Sequence, residues 1–254
     1  MKSIPDLVWN EIKILLPKKE HPAGRPEIDN RKALNGIIFI LHTGAQWNML
    51  PEKYGNYKTV HGKFIKWCRF GVFQKIMLKA REFYRRRNGS SNWFAFDVMI
   101  KKAPFANFAG KNPTDRAKHG IKYSLLTDRK GAPLFFDIAP ANVHDSKLFI
   151  PVLSHLKKSK NLRIVAADSA FDAQYLYSYC QTKNLALIAT PNKRRKKDIH
   201  VFKVPHRWVI EQTFGCLSWF RGIKICWSKT IDAALGIAQI AFSLRLFKMS
   251  GIFR

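Results

Sequence analysis

The chain has 254 residues, of which 45 are Lys or Arg and only 17 are Asp or Glu, so its formal net charge is +28 at pH 7. A charge of this size attracts polyanions over a distance, which makes nucleic acid the expected partner. A membrane is excluded as the partner, because the sequence has neither a basic amphipathic helix nor an unbroken apolar span of about 20 residues. No signal peptide is recognised at the start and the 4 cysteines lie far apart, so we expect reduced thiols in a cytoplasmic protein.

Residues 1–88 show a helical periodicity and predict an all-helical N-terminal domain. Its first helix is expected to begin with a capping box at Ser3 and to end at Pro17, and the next two are expected from Asp29 to Gly44 and from Thr59 to Gly71. The last two helices resemble a helix-turn-helix, in which the second helix would present Lys63 and Lys66 to the major groove of DNA. A plain helical bundle with a solvated basic face is the alternative interpretation.

Residues 89–254 predict a second domain, because the first β-type runs appear there. The expected strands are residues 92–98, 122–127, 134–138, 162–167 and 186–190. The turn Asp128–Gly131 joins the second and third strands as a hairpin, and helices separate the later strands. Three antiparallel strands followed by β-α-β steps predict an α/β protein whose mixed sheet resembles the ribonuclease H fold.

Three of the few acidic residues stand where a metal site would need them. Asp97 ends the apolar run WFAFD, Asp168 ends RIVAAD, and Glu211 lies within HRWVIEQTFGCL. In the ribonuclease H order the first strand is central and the fourth lies beside it, so these acids would meet at one edge. Two Mg²⁺ or Mn²⁺ ions about 3.5–4 Å apart, held by carboxylates, can act on a phosphodiester. A cap, a turn or a surface charge is the alternative for each acid singly.

Basic residues near these acids are the other candidate site residues. The nucleic-acid candidates are Arg116, Lys118 and Lys122 around one turn, and Lys193, Arg194, Arg195, Lys196 and Lys197 in the loop before the Glu211 helix. Side chains of this kind bind phosphates and position DNA without reading its sequence. A solvated charge run is the alternative.

Two further sets of residues near the acids have competing interpretations. His144 and Asp145 are either a pair that supports the metal ligands or a loop hydrogen bond before a helix. Trp208 and Phe214 flank Glu211 at helical spacing, which favours packing in the core. Stacking of a tryptophan on a flipped or frayed base near the cut is the alternative.

Ordered motifs connect the chain to a known family. The first part contains DLVWNEIKILLP, GRP and DNRKALNGIIFILHTGAQWNMLPEKYGNYKTVHGKFIKWCRFGVF, and the later part contains GKNPTDRAKHGIKYSLLTDRKGAPL, PANVHDS, ADSAFDA and RWVIEQTFGCLSWFRGI. Together they resemble a bacterial insertion-sequence transposase of the DDE class, in the group named after insertion sequence five. The resemblance implies that Asp97, Asp168 and Glu211 form a catalytic triad in a ribonuclease H-like catalytic domain. Arg207 matches the arginine of the signature Y-x2-R-x3-E-x6-K.

The sequence departs from that family pattern at a few positions. Val204 and Ser218 stand where the signature has its tyrosine and lysine, and Val98 follows the first acid where a small residue is common. None of these changes removes a carboxylate, so we still expect the chemistry of the family.

The resemblance also implies an activity and its partners. We expect cleavage at the ends of an insertion element and transfer of the 3′-hydroxyl strands to target DNA by two-metal-ion chemistry. The partners would be the terminal inverted repeats, the target DNA and at least one further copy of the chain, at the bacterial nucleoid. A repurposed DNA-binding protein and a ribonuclease H-fold nuclease are the alternatives.

Overall fold

The computed structural model of the protein describes residues 4–17, 27–191, 204 and 206–252. The helices of this part of the chain are α1 (Asp6–Ile12), α2 (Asn30–Thr43), α3 (Tyr57–Arg69), α4 (Val72–Asn88), α5 (Phe149–Ser154), α6 (Gln174–Thr182), α7 (Trp208–Ser218), α8 (Arg221–Lys224) and α9 (Ile231–Met249). The strands are β1 (Trp93–Lys102), β2 (Gly110–Lys111), β3 (His119–Asp128), β4 (Pro133–Pro140), β5 (Arg163–Ala167) and β6 (Leu185–Ala189).

The chain forms two compact units that are discontinuous in sequence. The helical unit comprises Met1–Gly89, Phe105–Asn107 and Leu217–Arg254, and the sheet unit comprises Ser90–Pro104 and Phe108–Cys216. The division at residue 89 lies next to the expected boundary, but the expected second domain of residues 89–254 loses its last segment to the helical unit. The reason is that α9 packs along α4, where the rings of Phe83 and Phe247 meet edge to face at 6.1 Å.

The helix α2 follows closely from local sequence signals. The carboxylate of Asp29 accepts a hydrogen bond from the Lys32 N–H at 2.7 Å and so caps the first turn. Gly44 ends the helix in the left-handed conformation, with φ +64°. The apolar face expected from the sequence is buried in the helical unit, with Ile37 and Leu41 fully inaccessible.

The connection between α2 and α3 differs from a simple helix-turn-helix. Helix α3 begins at Tyr57, because the Asn56 side chain accepts a hydrogen bond from the Lys58 N–H at 2.9 Å. Residues 44–56 contain two 3-10 turns and are much longer than the linking turn of about 3–4 residues in that motif. The N-terminal helical region is confirmed, whereas the helix-turn-helix stays a prediction.

The sheet has the strand order that the sequence predicts. Strand β1 lies in the middle, antiparallel to β3 and parallel to β5. Strands β4 and β2 continue the sheet beyond β3, and β6 continues it beyond β5. The first expected strand is therefore central with the fourth beside it, which confirms the α/β fold with a mixed sheet. The sequence does not predict the two-residue strand β2.

One face of the sheet is covered by α5 and α6 over an aromatic core. The ring of Phe96 meets those of Phe149 and Phe171 edge to face, at 4.9 Å and 5.0 Å between centroids. All three side chains are buried, so the strand that carries Asp97 is anchored one residue before the acid. Such edge-to-face pairs add specific attraction to the burial of apolar area.

Within the described residues, no helix combines the length and the apolar character needed to span a membrane.

Candidate active site

Asp97 and Asp168 are placed side by side by the parallel pairing of β1 and β5. Ala95 is the register partner of Ala166, so each acid lies two residues beyond a paired alanine. Because side chains alternate across a strand, both carboxylates leave the sheet on the same side. The Asp97 carboxylate accepts a hydrogen bond from the Val98 N–H at 2.7 Å, and the Asp168 carboxylate accepts one from the Ala170 N–H at 2.9 Å. These bonds orient both carboxylates beside the carboxyl end of β5, where Asp168 follows the strand and Asp97 lies within the longer central strand β1.

Helix α7 is attached to the β3–β4 turn through a buried hydroxyl. The Thr213 hydroxyl lies 2.8 Å from the Gly131 carbonyl oxygen and 3.0 Å from that of Val209, and it donates its one proton to either. Gly131 has φ +80°, and a Cβ there would lie 2.8 Å from the Thr213 oxygen. Only glycine therefore permits the contact, which fixes the helix that carries Glu211.

Arg207 connects the acids of the sheet to the acid of α7. Its guanidinium lies 3.2 Å from the Asp97 carboxylate and 2.8 Å from the Glu211 carboxylate. The Asp97 side chain is 16% exposed and that of Glu211 is 55% exposed, so the arginine spans from the interior to the surface. The structure therefore brings Asp97, Arg207 and Glu211 into one charged chain, with Asp168 beside its buried end.

Burial perturbs the two strand acids. Loss of solvation is the main reason that the pKa of Asp97 is raised, to about 6. The Asp168 and Glu211 carboxylates raise this pKa further, and the Arg207 guanidinium and the Val98 N–H oppose the rise. Burial also raises the pKa of Asp168. Poor solvation and the neighbouring carboxylates thus raise the free energy of the ionised form of Asp97.

The donor chemistry of this site fits a hard divalent cation, although its present arrangement is an ion-pair chain. Carboxylate oxygens are the ligands that Mg²⁺ and Mn²⁺ prefer. In the part of the chain that the structure describes, however, no three His, Cys, Asp or Glu side chains are arranged to hold a metal ion. Arg207 supplies the positive charge between Asp97 and Glu211 instead.

Lys122 was expected to bind nucleic acid, and the structure corrects this. The residue is 5% exposed, and its ammonium lies 2.7 Å from the Asp145 carboxylate and donates to the Val143 carbonyl at 2.7 Å. A buried ammonium with two partners is not available to a phosphate. Asp145 also raises the pKa of Asp168 by its charge. For Asp145, this geometry favours a role in supporting the acid site. His144 instead makes the local loop contact, since its ring nitrogen lies 2.8 Å from the Ser146 hydroxyl.

The remaining basic candidates differ in how accessible they are. The side chains of Lys66, Arg116 and Lys118 are exposed to solvent. The Lys63 ammonium lies 3.0 Å from the Glu27 carboxylate and is otherwise largely covered, so it is a poor phosphate ligand in this conformation. The loop from Lys193 through Arg194, Arg195 and Lys196 to Lys197 lies outside the described residues.

Two features of the site were missed by sequence reasoning. Trp208 is 60% exposed, in contrast to the expected core position, because it starts α7 on the side away from the buried Val209 and Ile210. The Thr213–Gly131 contact joins residues far apart in sequence. The only local signal for it is a glycine in a hairpin turn, and tight turns favour glycine whether or not another element packs against them.

Comparison with known proteins defines the class. Residues 62–246 match the family model described as "Transposase DDE domain", and residues 4–77 match the model described as "Putative transposase of IS4/5 family". The first match covers well over half of the chain, so the chain belongs to the family of transposase DDE domains. The resemblance to insertion-sequence transposases is thereby confirmed.

Curated relatives come from insertion elements. The chain is 28% identical over 131 residues to "Putative transposase for insertion sequence element IS402" of Burkholderia cepacia, covering 48% of this chain and 61% of the relative. It is 35% identical over 79 residues to "Insertion element IS402 uncharacterized 16.2 kDa protein" of the same organism, covering 29% and 54%. The chain thus spans less than two thirds of the length of either relative.

Solved transposase structures show a distant likeness. A synaptic complex of piggyBac transposase with hairpin DNA gives a TM-score of 0.47 at 10% identity, covering 96% of this chain and 71% of that one. A paired-end complex of Mos1 transposase with a left transposon end gives 0.28 at 10% identity, covering 93% and 82%. Both TM-scores are too low to define the fold. The fold is therefore assigned from the strand order of the sheet.

Proposed function

We propose that this protein is a DNA transposase that cleaves the ends of an insertion element and transfers the 3′-hydroxyl strands to target DNA. The observation that carries the proposal is the placement of Asp97 and Asp168 on neighbouring parallel strands, with Arg207 and Glu211 against them. Membership of the DDE domain family and the charge of +28 support the same conclusion.

Asp97, Asp168 and Glu211 are the residues that would hold two divalent ions, Mg²⁺ or Mn²⁺. When bound, such ions activate the attacking oxygen and neutralise the leaving oxygen of a phosphodiester. The raised pKa of Asp97 supports this assignment, because a bound cation offsets the lost solvation of this carboxylate and its repulsion by the Asp168 and Glu211 carboxylates. The Arg207 guanidinium meets only part of this need in the present arrangement, because the pKa of Asp97 stays raised beside it.

Arg207 has the right chemistry to hold DNA at the acids. A guanidinium offers paired N–H donors in a plane and binds phosphate oxygens bidentately. It is about one third exposed and already borders Asp97 and Glu211. We therefore assign it the role of binding the phosphate next to the scissile bond, in exchange for its contact with Asp97.

DNA along the rest of the protein would be held through its backbone. Lys66, Arg116 and Lys118 are the exposed candidates, and the run Lys193–Lys197 is retained as a proposal from the sequence. Contacts of this type position DNA in a salt-dependent manner. Since two ends of an element must be joined to one target, we propose that at least two copies of the chain act together at the nucleoid.

The test uses a donor plasmid that carries the native coding region with its flanks. Wild-type protein, Asp168→Asn and Asp137→Asn are compared for nicking and excision with Mg²⁺, Mn²⁺ or a chelator. Asp137 is an exposed strand acid outside the site and is the matched control. We expect cleavage at the flanks by the wild type and by Asp137→Asn, which requires metal and is lost in Asp168→Asn.

A second candidate function is DNA binding without cleavage by a protein derived from a transposase. The observation in its favour is that Arg207 and not a third acid lies against Asp97. Tight DNA binding by the wild type, with no cleavage in either metal, would establish this alternative and refute the transposase. Cleavage of any duplex without regard to the flanks would instead indicate a ribonuclease H-fold nuclease.

A further inference from the structure

The helical unit contains a cavity of about 630 Å³ whose wall combines aromatic rings with aliphatic and small residues. Its volume lies in the range of about 300–1,000 Å³ that is typical of sites for small organic groups. The cavity lies between the end of α2, helix α3 and the start of α9, and Phe105 and Trp227 contribute to its wall. None of these residues belongs to the acid site of the sheet unit.

The inner part of the cavity offers ring faces and no fixed charge. Trp47 lies against His61 and Phe64, with centroid distances of 4.8 Å and 5.2 Å. Burial lowers the pKa of His61, so its imidazole is neutral near neutral pH and acts as a polar ring. No Asp or Glu is among the described residues that line the cavity.

The rim of the cavity exposes large aromatic side chains. Phe105 is 62% exposed and Trp227 is 50% exposed, and their rings pack on each other at 5.8 Å with an angle of 30°. The backbone fixes this pair, because the Asn107 N–H donates to the Lys229 carbonyl at 3.0 Å. Exposed aromatic surface that is held in place is a mark of an interaction site.

Cations stand beside the rings. Lys229 lines the cavity with an exposed side chain, and Arg221, also exposed, packs against Gly44 of the cavity wall. Gly44 lies so close to Arg221 that a Cβ there would be 2.9 Å from the arginine Cβ. Aromatic faces flanked by Lys and Arg are the combination by which proteins stack bases and hold the adjoining phosphates of single-stranded DNA.

We propose that this aromatic cavity binds an unpaired base of DNA, with Phe105 and Trp227 as the stacking surface and Lys229 beside the phosphate. The proposal rests on the proposed function, which supplies both DNA as the partner and opened ends as the source of unpaired bases. A chain that opens DNA at the ends of an element needs a place for bases that have lost their partners. The cavity would stabilise such a frayed end, whereas a closed duplex would contact only the cations.

The experiment measures DNA binding by the full chain in the presence of a chelator, so that cleavage plays no part. Fluorescence anisotropy gives the Kd for a blunt duplex and for the same duplex with a single-stranded thymidine tail. We expect the wild type to prefer the tailed DNA by about five-fold or more, which is the smallest loss typical of one base–aromatic stack. Trp227→Leu and Phe105→Leu should lose this preference and keep the wild-type affinity for blunt duplex.

Matched variants separate stacking from folding. Trp227→Phe keeps a ring and should retain the preference, and Tyr175→Ala removes an equally exposed aromatic residue of the sheet unit and should change nothing. Lys229→Ala should weaken binding of both DNAs together. Circular dichroism and thermal midpoints establish that each variant is folded, and if Trp227→Leu is not, the pair Phe105→Leu and Phe105→Tyr decides.

Several results would overturn the proposal. Equal affinities of the wild type for tailed and blunt DNA would show that the cavity does not bind an unpaired base. Equal weakening of both DNAs by Trp227→Leu would indicate a general duplex contact. Loss of self-association in that variant, with DNA binding intact, would make the rim an interface between copies.

A preference for tailed DNA without any plasmid cleavage would leave this proposal standing and refute the transposase.

Discussion

Replacement of Asp97 by Asn is expected to stabilise the protein while it abolishes cleavage. Burial and the neighbouring acids make the ionised carboxylate costly in the folded chain, as the raised pKa of Asp97 records. Asparagine has nearly the same shape, keeps an oxygen for the Val98 N–H and carries no charge. The variant loses the ion pair with Arg207, which retains its contact with Glu211 at 2.8 Å.

The magnitude follows from the pKa of Asp97. Its rise from 3.8 to about 6 corresponds to about 3 kcal/mol against the folded state when the group is ionised. This shift already includes the attraction of the Arg207 guanidinium, so we expect a net gain of about 3 kcal/mol in the free energy of unfolding at pH 8. Below about pH 6 the folded wild type takes up a proton before the unfolded chain does. The gain in free energy of unfolding from Asp97→Asn is therefore complete above pH 6 and disappears as the pH falls towards 3.8.

The assay is thermal unfolding of wild type and variant at pH 8 and at pH 4.5, with a chelator to exclude metal. About 3 kcal/mol corresponds to a rise in Tm of about 6–12 °C for a chain of this size. Asp137→Asn is the control, because Asp137 is exposed and accepts the same kind of bond, from the Ile138 N–H at 2.8 Å. A variant that is less stable than wild type at pH 8 would refute the electrostatic account of the site.

Other changes test the elements around the acids. Thr213→Val leaves the Gly131 carbonyl without its donor and should cost about 1–3 kcal/mol, measured by thermal unfolding, with reduced plasmid cleavage because α7 is released. Lys122→Met should destabilise the protein by about 2 kcal/mol, less than a fully buried pair, because the Asp145 side chain is 37% exposed; blunt-duplex affinity should not change. Arg116→Ala should weaken binding of every duplex alike and reduce the slope of log K against log salt by about one.

Local signals made part of the fold predictable from the sequence. Helix α2 has its cap at Asp29, its apolar face and its terminal Gly44 within one short segment, and all appear as expected. The pattern of strands and helices resembles the ribonuclease H fold, and the strand order of that fold placed the first expected strand beside the fourth. That order was sufficient to bring Asp97 next to Asp168, because both acids stand two residues beyond paired alanines.

Tertiary contacts decided what the sequence could not. The pattern of residues 217–254 indicates helices but does not say which unit they join, and the packing of α9 on α4 places them in the helical unit. Lys122 lies near Arg116 and Lys118 in sequence, which suggests a shared role in binding phosphate. Its side chain instead meets Asp145 inside the sheet unit, a contact between residues with no shared motif.

The free-energy cost of ionising Asp97 and its proposed role as a metal ligand have the same physical origin. A protein with 45 basic residues and 17 acidic ones could neutralise a buried acid completely with lysine or arginine. Here a single guanidinium is shared between Asp97 and Glu211, and the pKa of Asp97 stays raised. A carboxylate that is already stable would gain little from a cation, whereas one held at a cost gains a great deal. Because Arg207 neutralises the acids incompletely, the proposed binding of a metal ion would stabilise the ionised form of Asp97.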